Sequence, residues 1–255
     1  MLYVWRGFAA LFFCCACFAP AYASPWGQSP REGLTITKLD HYRASDDARR
    51  FAQTSLETYA EFGLTPDWTV GGKLSYGWQD IKNAAFEDQR TGLIEADGFV
   101  QRRLFRTDHQ VGALQLLYAA PVSTRSVFNP PLESGRDAAI QIGARHGWSV
   151  GPHFIASSAG YRASLGDDAD QFRFDVTFAR KDESGRLFLL DVFNTVGLTD
   201  AAPGGVDYDL TTLSPSIVLP VTERTQVQIG GGVDLAGRNL DKGGRLFVAL
   251  WVTIP

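Results

Sequence analysis

The sequence predicts an all-β protein, a transmembrane antiparallel β-barrel of about 12 strands that follows a cleaved signal peptide. Three observations lead to this prediction. Apolar and polar residues alternate along many segments, which is typical of strands with one apolar face. Many of the segments run to about ten residues, as a tilted strand needs to cross a bilayer, whereas strands of soluble proteins commonly have about five or six. The connections between them alternate between short turns and longer polar loops, as in outer-membrane barrels.

The composition allows this fold and excludes several others. Of the 255 residues, 45% are hydrophobic and 20% are charged, and the formal net charge is −4. This apolar fraction is too high for a disordered chain, and without a basic excess no nucleic-acid partner is expected. A mean hydropathy of −0.09 excludes a bundle of membrane-spanning helices. It does not exclude a membrane protein in which polar and apolar residues alternate.

Residues 1–23 are predicted to be a signal peptide. Arg6 supplies a positive charge, an apolar run covers 7–18, and a small-x-small site ends at Ala23. The run is too short for a membrane-spanning helix, so an N-terminal anchor is the less favoured alternative. All three cysteines lie in this segment. The remaining 24–255 are therefore expected to form one barrel domain without disulfides or thiol chemistry.

The alternation is clear in 172–179, where Phe172 and Phe174 lie on one face and Arg173 and Asp175 on the other. Twelve segments of this kind can be placed along the chain: 33–43, 54–64, 68–79, 93–104, 110–120, 137–148, 153–164, 171–180, 186–196, 208–219, 225–236 and 244–254. An even number of strands puts both ends of the barrel chain on the side of the short turns, which is the periplasmic side in outer-membrane barrels.

The connections and two of the strands carry further expectations. The longer connections are predicted to be loops at 44–53, 80–92, 121–136 and 197–207. The strands at 153–164 and 208–219 are predicted from weaker patterns. Pro215 lies within the second of them and cannot donate a hydrogen bond to a neighbouring strand.

Aromatic residues near the predicted strand ends suit the two interfaces of a membrane. They are Trp68, Trp78, Phe105, Tyr118 and Trp148. The alternative is a soluble β-sandwich with an aromatic core. Its strands would be shorter, and its loops would not alternate in length so regularly.

The polar faces of the predicted strands carry charges of both signs. These residues are candidates to line the lumen of the barrel: Glu57, Glu61, Lys73, Glu95, Asp97, Arg103, Arg145, Arg173, Asp175, Asp191 and Asp234. Two interpretations stay open. The charges form a polar conduit for a solute, or they form salt bridges that plug a narrow barrel, because buried charges must be paired.

Motifs for catalysis or metal binding are absent from the sequence. The four histidines have no metal-ligand spacing, and Gly-x-Ser-x-Gly does not occur. We therefore expect no cofactor, no metal and no enzymatic activity. One alternative is a barrel enzyme that modifies outer-membrane lipid, with His153 acting on Ser157 or Ser158. Such a pair must lie within hydrogen-bond reach, which the sequence alone does not show.

Two motifs in the C-terminal half carry a family resemblance. One is Phe193-Asn194-Thr195, and the other is Leu235-Ala236-Gly237-Arg238-Asn239. Their order resembles that in the XagA-like outer-membrane barrels of proteobacteria, which are encoded with exopolysaccharide and biofilm genes. It is also similar to that in the wider group of transporter-like barrels associated with phenol meta-pathway degradation. The resemblance covers roughly 55–255.

The resemblance implies a pore or export accessory in the outer membrane of a Gram-negative bacterium, for exopolysaccharide of the biofilm matrix. An uptake channel for small hydrophobic or aromatic compounds is the alternative. A third possibility is a structural barrel with a plugged lumen, whose outer loops bind a polysaccharide or another protein. The expected partners are outer-membrane lipid, the barrel assembly machinery, and a polysaccharide or a small hydrophobic solute.

Overall fold

The structure, a computed structural model, describes residues 25–45, 49–83, 87–126, 133–202, 205–240 and 242–255. The predicted signal peptide lies outside these residues. They form one sheet of fourteen strands. The strands are β1 (Gly33–Ser45), β2 (Arg49–Gly63), β3 (Trp68–Asn83), β4 (Glu87–Arg106), β5 (Gln110–Ala119), β6 (Val122–Ser126), β7 (Glu133–Arg136), β8 (Ala139–Val150), β9 (His153–Ser164), β10 (Gln171–Lys181), β11 (Leu187–Gly197), β12 (Asp209–Pro220), β13 (Thr225–Arg238) and β14 (Gly243–Ile254). None of the described residues forms a helix long and apolar enough to cross a membrane.

Twelve of the strands close into an antiparallel barrel, as the sequence predicts. Sequential barrel strands pair with one another, and β14 returns to pair with β1. The other two strands, β6 and β7, form a hairpin that pairs with the first part of β4. Closure leaves no free edge in the barrel wall, so the backbone polar groups of the wall can pair with one another. Hydrocarbon requires this pairing, because it offers no water to unpaired groups.

The predicted strands and the observed strands agree closely in the second half of the chain. The segment predicted at 153–164 is β9 without a change of bounds. The first half differs at the side of the long connections. The loops predicted at 44–53 and 80–92 are mostly extensions of β2, β3 and β4, and the loop predicted at 121–136 contains the β6–β7 hairpin. These extensions are mostly polar in sequence and therefore lack the apolar face by which the strands are predicted.

Pro215 interrupts one ladder of β12 without ending the strand. It pairs with Leu190 of β11, whereas the ladder to β13 passes from Leu213 directly to Ser216. Proline has no N–H to donate at this point. The Ser214 hydroxyl donates to the Gly231 carbonyl at 2.9 Å and bridges the interrupted stretch.

The two faces of the barrel wall have the reverse polarity of a soluble protein. Large apolar side chains at alternate positions are exposed on the outer face, among them Leu39, Leu56, Leu74, Phe174 and Leu190. Polar side chains on the inner face are buried, among them Lys38, Glu57, Ser75, Gln115 and Asp191. A closed wall that is apolar on the outside is stable in hydrocarbon rather than in water. The barrel therefore spans a membrane, and the soluble β-sandwich is excluded.

The two ends of the barrel differ in their connections. Short turns join β2 to β3, β4 to β5, β8 to β9, β10 to β11 and β12 to β13. The opposite end contains the extended parts of β2, β3 and β4, the β6–β7 hairpin, and the longer segments that follow β9 and β11. Short turns face the periplasm in outer-membrane barrels. The end with the short turns is called the periplasmic end below, and the opposite end is called the outer end.

Candidate functional site

The candidate site is the barrel interior, which changes in chemistry along the barrel axis. Its periplasmic end contains a packed apolar cluster: Leu34, Ile36, Ala179, Leu187, Leu189, Val218, Ala249 and Trp251. The indole of Trp251 donates to Oε1 of Gln228 at 3.1 Å. The sequence predicts a polar inner face throughout, so this cluster is a departure from the prediction. It packs the wall tightly on the inside at this end.

Residues 25–28, the N-terminal segment, lie against the inner wall at the same end. Pro25 is fully buried, and the Trp26 ring meets the Phe154 ring edge-on with 5.8 Å between their centroids. Gly147 permits this approach. A Cβ atom at Gly147 would lie 2.6 Å from the Pro25 ring and 2.7 Å from the Trp26 ring. The sequence gives no periodic signal for this segment, and its position inside the barrel was not predicted.

Hydrogen bonds attach the N-terminal segment to the barrel wall. The side chain of Gln28 donates to the Glu61 carboxylate, and the Gln28 backbone N–H donates to Oγ1 of Thr69 at 3.2 Å. Nη1 of Arg103 donates to the Trp26 carbonyl at 3.4 Å. Two of the predicted lumen residues, Glu61 and Arg103, therefore hold this segment.

A network of ion pairs occupies the middle of the interior. Nζ of Lys38 lies 3.1 Å from Oε1 of Glu57, and Nζ of Lys73 lies 3.9 Å from Oε2 of the same Glu57. Lys73 also pairs with Glu95. The side chains of Lys73 and Glu95 are 25% and 24% exposed. These two side chains therefore have free space around them on the inner face, enough for contact with water.

Arg145 is held by amides from two other strands. Its Nη1 donates to Oε1 of Gln101 at 2.9 Å, and its Nη2 donates to Oε1 of Gln115 at 2.7 Å. The guanidinium also lies 5.7 Å from the centroid of the Phe99 ring, within the range of a cation–π interaction. These contacts fix one positive charge on the inner face between β4 and β8.

The remaining predicted acidic residues also lie on the inner face. Asp97 is opposite Lys73 in the β3–β4 ladder. The other three accept hydrogen bonds from hydroxyl groups: Asp175 from Ser158 at 3.2 Å, Asp191 from Thr177 at 2.6 Å, and Asp234 from Tyr42 at 2.7 Å. Arg173 is predicted as well, and its guanidinium donates to Oε1 of Gln171 at 3.1 Å. The alternation of the strands thus predicts the face, but the partners are visible only in the structure.

A recess at the outer end collects three arginines and a tyrosine, Arg136, Arg162, Arg173 and Tyr208. Burial raises the pKa of the Tyr208 hydroxyl, but the three nearby guanidinium groups outweigh it, and the net effect is a lowered pKa. Only Arg173 is a sequence-predicted site residue. Arg162 has the signal that could have identified it, because it alternates with Tyr161 in β9. Arg136 lies in the hairpin that was predicted as a loop.

The second family-like motif ties connections together at the outer end, whereas the first lies within β11 and bonds β10. Arg238 pairs with Asp207 at 2.8 Å and with Asp209 at 2.8 Å. Asn239 has a φ of 60° and donates to the Asp207 carbonyl at 3.2 Å. Asn194 donates to the Phe174 carbonyl at 3.1 Å. These contacts support a structural role for both motifs.

The histidine and serines of the enzyme alternative do not form a pair. His153 begins β9, and Ser157 lies four residues further along the same strand, about 13 Å away at 3.3 Å per residue. Ser158 points inward, where its hydroxyl bonds Asp175. The histidine opposite Ser157 is His146 of β8. Among the described residues, no three His, Cys, Asp or Glu side chains are grouped so as to hold a metal ion.

Comparison with known proteins places the fold among outer-membrane β-barrels. An outer-membrane channel from Pseudomonas putida F1 is 12% identical with a TM-score of 0.66, and the match covers 92% of this chain and 100% of that one. The translocator domain of the autotransporter NalP from Neisseria meningitidis is 10% identical with a TM-score of 0.54, covering 89% of each chain. The KdgM porin is 7% identical with a TM-score of 0.53, covering 86% of this chain and 99% of that one.

At sequence identities this low, the comparisons show a similar fold and do not show a shared activity. No protein-family model and no curated protein matches the sequence. The closed barrel, its apolar outer face and its likeness to Gram-negative outer-membrane barrels together place the protein in the outer membrane, in contact with membrane lipid.

Proposed function

We propose that the protein is an outer-membrane channel for polar solutes, gated at its periplasmic end by the N-terminal segment. The observation that carries the proposal is the charged, partly solvent-exposed network in the middle of a closed barrel. Lys73 and Glu95 contribute to this network from neighbouring strands. Interior charges are costly to bury without water, so their partial exposure favours a water-filled path over a solid plug.

The N-terminal segment is suited to act as a gate because it is not part of the barrel wall. Between this segment and β1, the backbone of Arg31 and Glu32 is hydrogen-bonded to Gly63 at 2.9 Å each. Residues 25–28 are held by a few hydrogen bonds and ring contacts, whereas each wall strand pairs along its length with a neighbour on either side. The segment can therefore leave the interior without breaking the wall.

We propose a saccharide as the solute, and exopolysaccharide of the biofilm matrix as its source. The XagA-like order of motifs supports this choice, as does an inner face rich in charged and amide groups that can bond hydroxyls. KdgM, a barrel of similar fold, has been solved in complex with disordered oligogalacturonate. A small hydrophobic compound has less support, because the apolar side chains of the interior, around Trp251 and Leu189, are buried against one another.

Liposome swelling tests the channel. Vesicles containing the purified full-length chain are diluted into isotonic solutions of sugars of increasing length, with protein-free vesicles as the control. We expect swelling that declines with the length of the sugar. Folded protein that admits no sugar, even as a variant with Trp26 replaced by alanine, would contradict the proposal.

A deletion strain tests the role in export. We expect less polysaccharide outside the cells and restoration of its amount by the intact gene. Unchanged extracellular polysaccharide, with altered uptake of a small sugar, would leave a channel but remove the export role.

A further inference from the structure

The recess formed by Arg136, Arg162, Arg173 and Tyr208 at the outer end, the arginine recess, concentrates positive charge in a small volume. Arg162 is opposite Gln171 in the β9–β10 ladder, and Arg173 is opposite Gly160. The two arginines are thus diagonal neighbours on the inner face, where such positions are separated by about 7 Å. Arg136 is the last residue of β7 and lines the same recess from the β6–β7 hairpin.

The arginines of the recess are not neutralised by ion pairs. Within the described ranges, Arg136, Arg162 and Arg173 have no carboxylate within 4.0 Å of their guanidinium nitrogens. Among the residues that the structure describes, their hydrogen-bond partner is the amide oxygen of Gln171, which accepts from Arg173 at 3.1 Å. The carboxylates of Glu95, Asp97 and Asp168 attract these guanidinium groups only from beyond ion-pair distance. An anion that enters the recess can contact the guanidinium groups directly, which favours its binding.

The acidic residues on the rim of the recess already have other partners. Oδ2 of Asp137 accepts the backbone N–H of Asp168 at 3.0 Å. Oδ1 of Asp168 accepts the backbone N–H of Val206 at 2.8 Å, and its Oδ2 accepts that of Asp137 at 3.1 Å. These bonds turn both carboxylates toward the backbone of the outer connections. They also fix the wall of the recess in place.

We infer that the arginine recess binds the carboxylate groups of an acidic saccharide. A guanidinium presents two parallel N–H groups that match a carboxylate, and the diagonal neighbours Arg162 and Arg173 can hold one carboxylate between them. Gln171, Ser164 and Tyr208 line the same recess and supply hydrogen-bonding groups for sugar hydroxyls. The choice of a saccharide rests on the proposed function, whereas the preference for a carboxylate rests on the arginines alone.

Calorimetric titration of the full-length barrel in detergent tests the inference without requiring conductance. Trigalacturonate is the acidic probe, maltotriose is the neutral probe of equal length, and inorganic phosphate is the simple anion. We expect trigalacturonate to bind at least tenfold more tightly than either of the other two. Equal binding of maltotriose, or of phosphate, would overturn the inference.

Variants locate the site. Each of R162Q and R173Q is expected to weaken trigalacturonate binding about tenfold, and the double variant about a hundredfold, because each removes a charge-assisted pair. R162K keeps the charge without the planar fork and should lose less than R162Q. The matched control is R245Q, which removes an interior arginine that faces Asp40 at 3.9 Å, outside the recess. Weakening by R245Q equal to that by R162Q would contradict the assignment.

The outcomes separate this inference from the proposed function. A barrel that passes sugars but does not prefer trigalacturonate overturns the inference and leaves the channel intact. A barrel that binds trigalacturonate through Arg162 and Arg173 but passes no sugar overturns the channel and leaves the binding site. A variant that loses the β-sheet circular dichroism of the wild type is replaced by its lysine counterpart, which retains the charge.

Discussion

Lys38 and Glu57 face each other across β1 and β2 inside the barrel, with 3.1 Å between Nζ and Oε1. Their side chains are only 10% and 11% exposed. Glu57 also lies 3.9 Å from Nζ of Lys73, so one carboxylate serves two cations. Loss of either partner lowers the free energy of unfolding, because the remaining charge stays in a site that is shielded from water.

Replacing Lys38 by methionine should lower the free energy of unfolding by about 3 kcal/mol, since Glu57 would lose its shorter ion pair while its 3.9 Å contact with Lys73 remains. Unfolding of the barrel in lipid vesicles by guanidinium chloride measures this change in the free energy of unfolding. The double variant K38M/E57L removes both charges and should lose less stability than the single variant. A single variant as stable as the wild type would show that water already neutralises the pair.

Replacing Trp26 by alanine should raise the conductance of the barrel. The substitution removes the edge-on contact with Phe154 and loosens the N-terminal segment. Planar bilayer recordings measure the mean current and the fraction of time spent open. The control is W68A, because Trp68 is 40% exposed at the start of β3, where its ring lies beside Arg102. Equal currents in W26A and the wild type would show that the N-terminal segment does not gate the channel.

Replacing Leu39 by lysine should destabilise the membrane-inserted barrel by about 2–4 kcal/mol, the cost of a lysine on the lipid face near the bilayer centre. Leu39 lies in the middle of β1, and its side chain is exposed on the outer face. Refolding into vesicles, followed by denaturant titration, measures the loss. The same substitution at Leu64, in a periplasmic turn, should have little effect. Similar losses at the two positions would argue against a lipid belt around β1.

Replacing Arg238 by alanine should loosen the outer end of β11 and β12. Arg238 holds Asp207 and Asp209, and Oδ1 of Asp209 accepts the Gly197 backbone N–H at 2.9 Å. Hydrogen exchange at Gly197 should become severalfold faster, with a smaller change in R238K. The control is R186A, which removes an arginine paired with Asp182 in a periplasmic turn. Unchanged exchange at Gly197 in R238A would show that the other loop contacts suffice.

The sequence predicts the barrel strands well because lipid imposes a strict rule on them. In β10, Phe172 and Phe174 must face hydrocarbon, which leaves Arg173 and Asp175 to the interior, so alternation alone fixes the face of each residue. The β6–β7 hairpin was missed for the same reason. It pairs with β4 only beside Arg90, Thr91 and Gly92, and its own sequence lacks the apolar alternation that lipid selects.

The candidate site is predicted only in part, because contacts inside a barrel join residues that are distant in sequence. The position of Lys73 on the inner face follows from β3, but its pairing with Glu95 depends on the register of β3 against β4, which shifts at Ser75/Tyr76. Trp26 lies inside the barrel through a contact with Phe154 that no local pattern encodes.

Single-channel recording tests whether the interior of the barrel is a channel. Purified full-length protein is added to planar lipid bilayers at fixed salt, and W26A is recorded beside the wild type. We expect discrete current steps for both proteins, with longer or larger openings in W26A. Protein that inserts as a folded barrel but carries no current, in the wild type and in W26A alike, would contradict the claim that the interior is a channel.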